Sequence, residues 1–386
     1  MNYSNEKRQD SALTRREFLY SAACAGTCLL FLQERGLAAI STRLKEASYY
    51  HRTGKGTLVC NLCPNECSIS DGALSSCRTR LNRHGKLYTL SYDSLAAIHK
   101  DPIGKGPLYH FLPGASALSV ATAGCNLRCL YCQNWELSQN SPRKVRKIDI
   151  SQEDIIKKAL RNGCRAITFT YTEPVAYYEY MIDIARRAKS AGLATHMATA
   201  AYINKEPLEE LCRHMDAATV ALKGFNDPFY KKICGCPITP VLDAIVTMKR
   251  AGVWLEIATC IVPTLNDNAY ELKRMARWIR DSLGADTPFH LVRFLPEYRL
   301  ANLPPTPTSV MEDLRKTALD EGLRYVYISN MPGHEGNNTY CPSCGKAVIT
   351  RLGFKLISNY LKRGRCPNCG APIPVNSGTL VEFVQK

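Results

Sequence analysis

The sequence predicts an α/β fold in which a parallel sheet is flanked by small cysteine-rich modules. Six short β-rich segments alternate with helical segments between residues 117 and 294, and such repetition is typical of a parallel sheet with right-handed crossovers. The 386-residue chain has 45% hydrophobic and 22% charged residues, an ordinary globular composition. Four cysteine clusters with metal-type spacing hold 11 of the 18 cysteines, which favours metal ligation over a disulfide framework.

The amino-terminal segment 14-TRREFLYSAACAGTCLLFL-32 contains two adjacent arginines, Arg15 and Arg16, before a short apolar run. The run is too short and too rich in small residues for a membrane span. It resembles a twin-arginine export leader with cleavage near residues 36–39. We therefore predict a leader over residues 1–40, a periplasmic or exported location and no further transmembrane span. The alternative is a basic, apolar helix on a cytoplasmic protein.

The first cysteine group follows a charged linker and reads 60-CNLCPNECSISDGALSSC-77. Two close pairs separated by a loop can converge on one metal, and four thiolates suit either tetrahedral zinc or a closed iron–sulfur cluster. Spacing does not choose between zinc and an auxiliary cluster. We predict a small cysteine-rich module over residues 41–110, with these ligands: Cys60, Cys63, Cys67 and Cys77.

A second group lies in 122-TAGCNLRCLYCQNWELSQ-139, where Cys125, Cys129 and Cys132 fall within eight positions. A structural zinc or an ordinary four-iron cluster has four protein ligands. A tight trio therefore predicts an open coordination position, which is where chemistry occurs.

The predicted barrel core consists of alternating strands and helices. The strand segments are 117–122, 166–171, 193–199, 218–222, 254–262 and 289–294, and the helical segments are 151–163, 174–192, 238–252 and 267–284. The cysteine trio follows the first strand, and Glu173 and Lys223 lie near later strand ends. Loops at the carboxyl ends of parallel strands form the active face of α/β barrels.

The carboxyl-terminal part contains two Cys-x-x-Cys-Gly knuckles, 341-CPSCG-345 and 366-CPNCG-370, separated by strand-forming residues. Paired knuckles of this kind predict a zinc ribbon over residues 336–386, whose role is structural because a small sheet has little core of its own. The zinc ligands are Cys341, Cys344, Cys366 and Cys369.

The formal net charge of +16 raises the question of nucleic-acid binding. The basic runs 143-RKVRK-147 and 362-KRGR-365 lack the interleaved aromatic residues of a nucleic-acid surface. A solvated basic surface or an acidic protein partner accounts for them equally well, so we do not expect nucleic acid as a partner.

These motifs resemble those of the radical S-adenosylmethionine (SAM) superfamily. The closer resemblance is to the radical SAM protein of the AmmeMemoRadiSam system, itself similar to activating enzymes of glycyl-radical enzymes such as pyruvate formate-lyase. The segments that carry it, between about residues 58 and 350, are 60-CNLCPNEC, 107-PLYHFLPG, 124-GCNLRCLYCQNWELSQ, 170-TYTEP, 222-LKGF, 263-PTLND, 290-HLVRFLPEY and 339-TYCPSCG.

The resemblance implies a partial (β/α)6-type TIM barrel over residues 111–335. It also implies that Cys125, Cys129 and Cys132 hold a [4Fe-4S] cluster whose fourth iron binds SAM. Reductive cleavage of SAM would give a 5′-deoxyadenosyl radical that abstracts hydrogen from an unknown substrate, such as a backbone glycine of a glycyl-radical-type partner protein. The electron would come from a low-potential donor such as flavodoxin or ferredoxin.

Three further residues match SAM-binding positions of the family. Glu173 in 170-TYTEP matches a carboxylate that contacts the SAM amino group, and a carboxylate is the natural acceptor for an ammonium. Lys223 and His290 match positions near the SAM carboxylate and ribose. The alternatives are a solvated strand-end acid for Glu173 and ordinary surface or core roles for the other two.

The sequence also departs from the family pattern. It has Ala221-Leu222-Lys223 where activating enzymes commonly have Asp-Leu-Lys, Thr199-Ala200-Ala201 for Thr-Asn-Gly, and 101-DPIGKGP for Asp-Pro-Ile-Glu-Lys-Lys-Pro. Two other functions therefore compete with the radical enzyme. One is an exported iron–sulfur and zinc protein that acts in electron transfer or as a binding module, and the other is an RNA-modifying radical enzyme, for which no RNA-reading signature is present.

Overall fold

The structure is a computed structural model that describes residues 44–54 and 56–377, so the predicted leader lies outside the described residues. From Lys45 onward the chain forms one compact unit. Within the described part, no helix combines the length and the apolar character that a membrane span requires.

The amino-terminal module consists of two small antiparallel sheets. Its strands are β1 (Lys45–Glu46), β2 (Tyr50–Gly54), β3 (Thr57–Cys60), β4 (Ser68–Ile69), β5 (Arg80–Arg83) and β6 (Lys86–Thr89). The strand orders are β1-β6-β5 and β2-β3-β4. Leu58, Ile69 and Leu87 are buried and join the main hydrophobic core, so the module packs onto the barrel.

The central sheet has eight strands: β7 (Leu95–Pro102), β8 (Ser116–Thr122), β9 (Ala166–Phe169), β10 (Ala194–Thr199), β11 (Ala217–Ala221), β12 (Trp254–Ile261), β13 (Phe289–Arg293) and β14 (Val326–Ser329). Strands β8 to β14 are parallel neighbours in chain order, and β7 pairs antiparallel with β8. The sheet is therefore an open, partial barrel, and all six predicted strands are confirmed. The sequence analysis missed β7 and β14, the two edge strands.

Helices connect the parallel strands. They are α1 (Trp135–Ser138), α2 (Gln152–Arg161), α3 (Tyr178–Ser190), α4 (Lys205–Cys212), α5 (Asp227–Phe229), α6 (Thr239–Arg250), α7 (Ala269–Leu283) and α8 (Thr308–Asp320). Short 3-10 helices lie at Ile103–Lys105, Pro142–Lys144, Pro174–Tyr177, Tyr298–Leu300 and Glu335–Asn337, and Tyr230–Cys234 is π-helical. Side-chain caps start two of the four predicted helices: Ser151 accepts from the Asp154 amide and Asn268 from the Glu271 amide. The four predicted helices are confirmed.

The inner face of the barrel is lined by small side chains of its strands. They include Ala117, Ser119, Thr168, Ala198, Thr219 and Ala258. Larger groups fill the barrel deeper, where the carboxylate of Glu256 accepts hydrogen bonds from the backbone amides of Tyr109 and His110. The segment around Tyr109 therefore closes the barrel floor, and the small residues leave a cavity above it.

The carboxyl-terminal ribbon is a three-stranded antiparallel sheet of β15 (Thr339–Tyr340), β16 (Ala347–Leu352) and β17 (Lys355–Asn359). Arg351 of β16 is buried, donates to the backbone oxygen of Tyr109 at 3.1 Å, and lies 4.2 Å from the Tyr109 ring centroid. This side chain therefore joins the ribbon to the barrel floor.

Candidate active site

A cavity of about 560 Å³ opens at the carboxyl ends of the parallel strands. It is lined by Cys125, Cys129 and Cys132, and also by Glu173 and Lys223. The volume lies in the range of small-molecule sites. Five of the six residues that the sequence predicted for the cluster and SAM thus share one cavity.

The loop that carries the trio runs from β8 to α1 and is held by its backbone. The Arg128 amide donates to the Cys234 oxygen at 2.7 Å, and the Leu130 amide donates to the Ile233 oxygen at 3.0 Å. At Gly124, φ is +104°, and a Cβ there would lie 2.2 Å from the Cγ2 atom of Thr79. Only glycine fits at that position, where the loop meets the amino-terminal module.

Additional thiols surround the trio. The thiol of Cys234 hydrogen-bonds to Cys129 and Lys223 lies nearby, so the pKa of Cys129 falls to about 7 although burial opposes the thiolate. Cys260, at the end of β12, lines the cavity, whereas Cys234 does not. The sequence analysis missed both residues, since neither belongs to a cysteine motif; the strand-end position of Cys260 was the available signal.

Glu173 follows β9 and is only 4% exposed. Its carboxylate accepts hydrogen bonds from the Thr199 hydroxyl at 2.6 Å, the Ala200 amide at 2.8 Å and the Val175 amide at 3.2 Å. Burial raises its pKa, and these three donors oppose that shift. A buried carboxylate held in one orientation at a cavity wall can bind a cationic group.

The departure at Thr199-Ala200-Ala201 leaves this arrangement intact, because Ala200 contributes its backbone amide. Ala201 has φ of +57°, in the left-handed region where the family has glycine. The strain of a Cβ there is of order 1 kcal/mol. Ala201 therefore adopts a left-handed backbone conformation that usually favours glycine.

Lys223 follows β11 with its side chain directed among the thiols. Burial lowers the pKa of Lys223, but the charges of the neighbouring cysteine sulfurs, Cys129 first, raise it by more, so the net shift is upward. Its backbone oxygen accepts from Asn266 at 2.8 Å, which fixes the strand end. The ammonium is thus available to an anionic group in the cavity.

His290 lies deeper in the barrel and is not among the residues that line the cavity. It is fully buried on β13, on the same face as Val292, which does line the cavity. Its Nε2 donates to Glu256 at 2.7 Å. Burial raises the pKa of Glu256, but this bond, the charges of His290 and His110 and the Tyr109 amide together lower it to about 2. A role of His290 near the SAM ribose stays a prediction.

The departure at 101-DPIGKGP has a packing explanation. A Cβ on Gly104 would lie 2.9 Å from the Phe354 oxygen of the ribbon, and one on Gly106 would lie 2.9 Å from the His196 ring. Within this segment Lys105 donates to Asp101 at 2.8 Å at the cavity wall. The two glycines therefore allow the ribbon and the barrel interior to approach the loop closely.

The four ribbon cysteines form a compact group. The Sγ atoms of Cys341 and Cys369 are 3.6 Å apart, those of Cys344 and Cys366 are 3.7 Å apart, and all four lie within 4.8 Å of one another. A tetrahedral zinc with Zn–S bonds of 2.3 Å separates its sulfurs by about 3.8 Å. The Lys346 amide and other donors lower the pKa of Cys344 to about 6, which favours a thiolate ligand. The geometry fits one metal ion, and zinc remains a prediction.

Comparisons with known proteins relate this chain to radical SAM proteins. Residues 119–279 match the radical SAM superfamily. An uncharacterized protein of Methanocaldococcus jannaschii is 42% identical over 334 residues, which cover 86% of this chain and 99% of that protein. The pyruvate formate-lyase-activating enzyme of Clostridium pasteurianum is 28% identical over 180 residues, 43% of this chain and 72% of that enzyme. Among solved structures, a domain of pyruvate-formate lyase-activating enzyme from Bacteroides vulgatus has 21% identity and a TM-score of 0.38, covering 43% of this chain and 99% of that domain.

Proposed function

The chain belongs to the radical SAM superfamily, and on that premise we propose that Cys125, Cys129 and Cys132 hold a [4Fe-4S] cluster beside bound SAM. The observation that carries the proposal is that the three thiols share a cavity with a buried carboxylate and a half-buried ammonium. When bound and reduced, the cluster supplies the electron that splits SAM into methionine and a 5′-deoxyadenosyl radical.

The side chains in the cavity fit the cluster and SAM. Three thiols in one loop leave one iron of a four-iron cluster without a protein ligand. Glu173, already oriented by three donors, would accept from the SAM ammonium, and Lys223 would donate to the SAM carboxylate. Ala221 also lines the cavity but has no carboxylate. Glu173 would therefore contribute a larger share of the SAM-binding free energy than it would with an aspartate at position 221.

The interior of the barrel limits water around the radical. The apolar and hydroxyl side chains of Ala198, Thr219 and Ala258 line the cavity above the closed floor. None of these three side chains is ionised, so this part of the wall would not attract water toward a reactive species. The hydrogen donor would enter from the open carboxyl ends of the strands.

For the substrate, we propose a backbone glycine of a partner protein. The support is the similarity to pyruvate formate-lyase-activating enzymes, together with a basic, +16 chain that suits an acidic partner. A low-potential one-electron donor such as flavodoxin or ferredoxin would reduce the cluster. The leader sequence at residues 1–40 supports a proposal of export in the folded state.

The cluster assignment is tested by iron content after anaerobic reconstitution. Replacing Cys125, Cys129 and Cys132 with alanine should remove about four iron per chain, whereas Cys212→Ala, a matched change of a buried cysteine outside the motifs, should remove none. Cys234→Ala should also retain the iron. Loss of iron from Cys234→Ala would identify a fourth protein ligand and contradict an open site.

SAM binding is tested on the same samples. Adding SAM to the reduced protein should change the electron paramagnetic resonance spectrum of the cluster, because SAM becomes a ligand of the open iron. An unchanged spectrum would favour the exported iron–sulfur and zinc protein without radical catalysis.

A further inference from the structure

Four cysteines of the amino-terminal module line a second, small cavity: Cys60, Cys63, Cys67 and Cys77. Asn126, the neighbour of Cys125, lines the same cavity, and its backbone oxygen accepts from Asn65 at 2.9 Å. The backbone oxygen of Cys77 would lie 2.9 Å from a Cβ on Gly124. This cavity therefore adjoins the base of the loop that carries the trio, yet it is separate from the active-site cavity.

The spacing of these four thiols differs from that of the ribbon. Across residues 44–54 and 56–377, the ribbon cysteines form a group with all ligand atoms within 4.8 Å of one another, and the amino-terminal four do not. No thiol–thiol hydrogen bond joins any two of the four, whereas two such contacts join the ribbon thiols. A single zinc ion brings its sulfurs to about 3.8 Å. A four-iron cluster places iron and sulfide between its thiolates and so holds them farther apart.

Arg80 gives an independent indication of what fills the cavity. This side chain is fully buried and lines the cavity with the four cysteines. It donates to Glu179 at 2.7 Å and to the Ser48 oxygen at 2.9 Å, but its Nε has no hydrogen-bond partner. A buried guanidinium N–H without an acceptor is costly. A cluster core would bring sulfide acceptors into the cavity in addition to the thiolate sulfurs, whereas a zinc ion would leave the thiolate sulfurs as the acceptors.

Hydroxyl groups also approach two of the sulfurs. Cys77 Sγ lies 3.0 Å from Ser75 Oγ and 3.1 Å from Thr79 Oγ1, and Cys67 Sγ lies 3.1 Å from Ser76 Oγ. Hydrogen bonds to ligand sulfurs tune the reduction potential of iron–sulfur clusters. The surroundings of the thiols are therefore those of a redox centre as well as of a structural one.

We propose that Cys60, Cys63, Cys67 and Cys77 hold a second four-iron cluster, and that Arg80 is a positioning residue that donates its free Nε–H to this cluster. The proposal chooses iron over zinc for a site that sequence spacing leaves open. It does not depend on SAM chemistry at the trio.

The decisive test uses a variant that leaves residues 60–77 unchanged. In the variant with alanine at Cys125, Cys129 and Cys132, anaerobic reconstitution should leave about four iron per chain and an iron–sulfur signal on reduction. Adding Cys60→Ala and Cys77→Ala should abolish that iron, whereas adding Cys164→Ala and Cys212→Ala, outside all three groups, should preserve it. Circular dichroism verifies that each variant is folded.

The opposite result is equally clear. A folded trio variant that holds no iron and about two zinc ions would overturn the proposal, because zinc would then fill both remaining four-cysteine sites. This outcome needs no variant of the amino-terminal module, so a folding defect there does not affect it.

The role of Arg80 is tested by spectroscopy in the same trio background. Arg80→Lys keeps the positive charge near Glu179 but lacks the Nε–H, and it should shift the spectrum and potential of the remaining cluster. Arg83→Lys, an exposed change on the same strand, should leave both unchanged. Identical spectra for the two variants would remove Arg80 from the site.

Discussion

Replacing Glu173 with glutamine removes a buried carboxylate from the cavity that Cys125, Cys129 and Cys132 also line. Glutamine retains an oxygen that can accept from the Thr199 hydroxyl and the Val175 amide, but it turns an N–H₂ group toward the Ala200 amide. The fold should therefore persist with a modest loss of stability, of about 1 kcal/mol for one lost hydrogen bond.

SAM binding should fall much more. A hydrogen bond to a charged group contributes about 1.5 to 3 kcal/mol, which corresponds to roughly 10- to 150-fold weaker binding. The assay is anaerobic titration of SAM into reconstituted protein, with iron content measured on the same sample. Glu136→Gln is the matched control, because Glu136 is exposed on α1 and does not line the cavity. Wild-type affinity in Glu173→Gln with full iron content would refute the assignment of Glu173.

Three further predictions concern stability and location. The pKa of His196 is about 4 because the ring is buried. The unfolded chain takes up the proton near pH 6.5, so the stability that neutral His196 provides is lost as the pH falls from 6.5 toward 4. Urea unfolding at pH 7 and pH 5 should show that the free energy of unfolding falls by about 2 kcal/mol less in His196→Gln than in wild type. Equal decreases in the two proteins would contradict this. Arg351→Ala should lower the free energy of unfolding by about 3 kcal/mol, because buried acceptors such as the Tyr109 oxygen lose their donor. The control Arg363→Ala, an exposed change, should alter it by less than about 0.5 kcal/mol. Equal effects would show that Arg351 does not stabilise the contact between the ribbon and the barrel floor. A reporter that is exported only when folded should be exported when it is fused to residues 1–40, and it should stay inside the cell when Arg15 and Arg16 are replaced with lysine. Export that is unaffected by this replacement would favour the cytoplasmic location.

Local patterns in the sequence predicted most of the fold. The six inner strands are short β-rich runs between clear helices, so period and composition identify them. The edge strand Leu95–Pro102 mixes buried and exposed polar residues and so has no strong pattern, whereas Val326–Ser329 is a buried four-residue run like Ala166–Phe169 and was simply missed.

The sequence also predicted some features of the candidate site and missed others. Cysteine spacing predicted the trio and the ribbon group, and the structure places the trio in one cavity and the four ribbon thiols within 4.8 Å of one another. Depth along a strand is not visible in sequence: His290 and Val292 share a face, but only Val292 lies above the floor that Glu256 and Tyr109 close. Pairs such as Arg80 and Glu179, 99 positions apart, depend on the completed fold.

The central claim is that the protein cleaves SAM at an open iron held by Cys125, Cys129 and Cys132. The most direct measurement is chromatographic detection of 5′-deoxyadenosine and methionine after the anaerobic, reconstituted protein is reduced in the presence of SAM, without any substrate. We predict that both products form in equal amounts and that the variant with alanine at these three cysteines forms neither. Reduced protein with full iron content that yields no 5′-deoxyadenosine above a control without protein would contradict the claim.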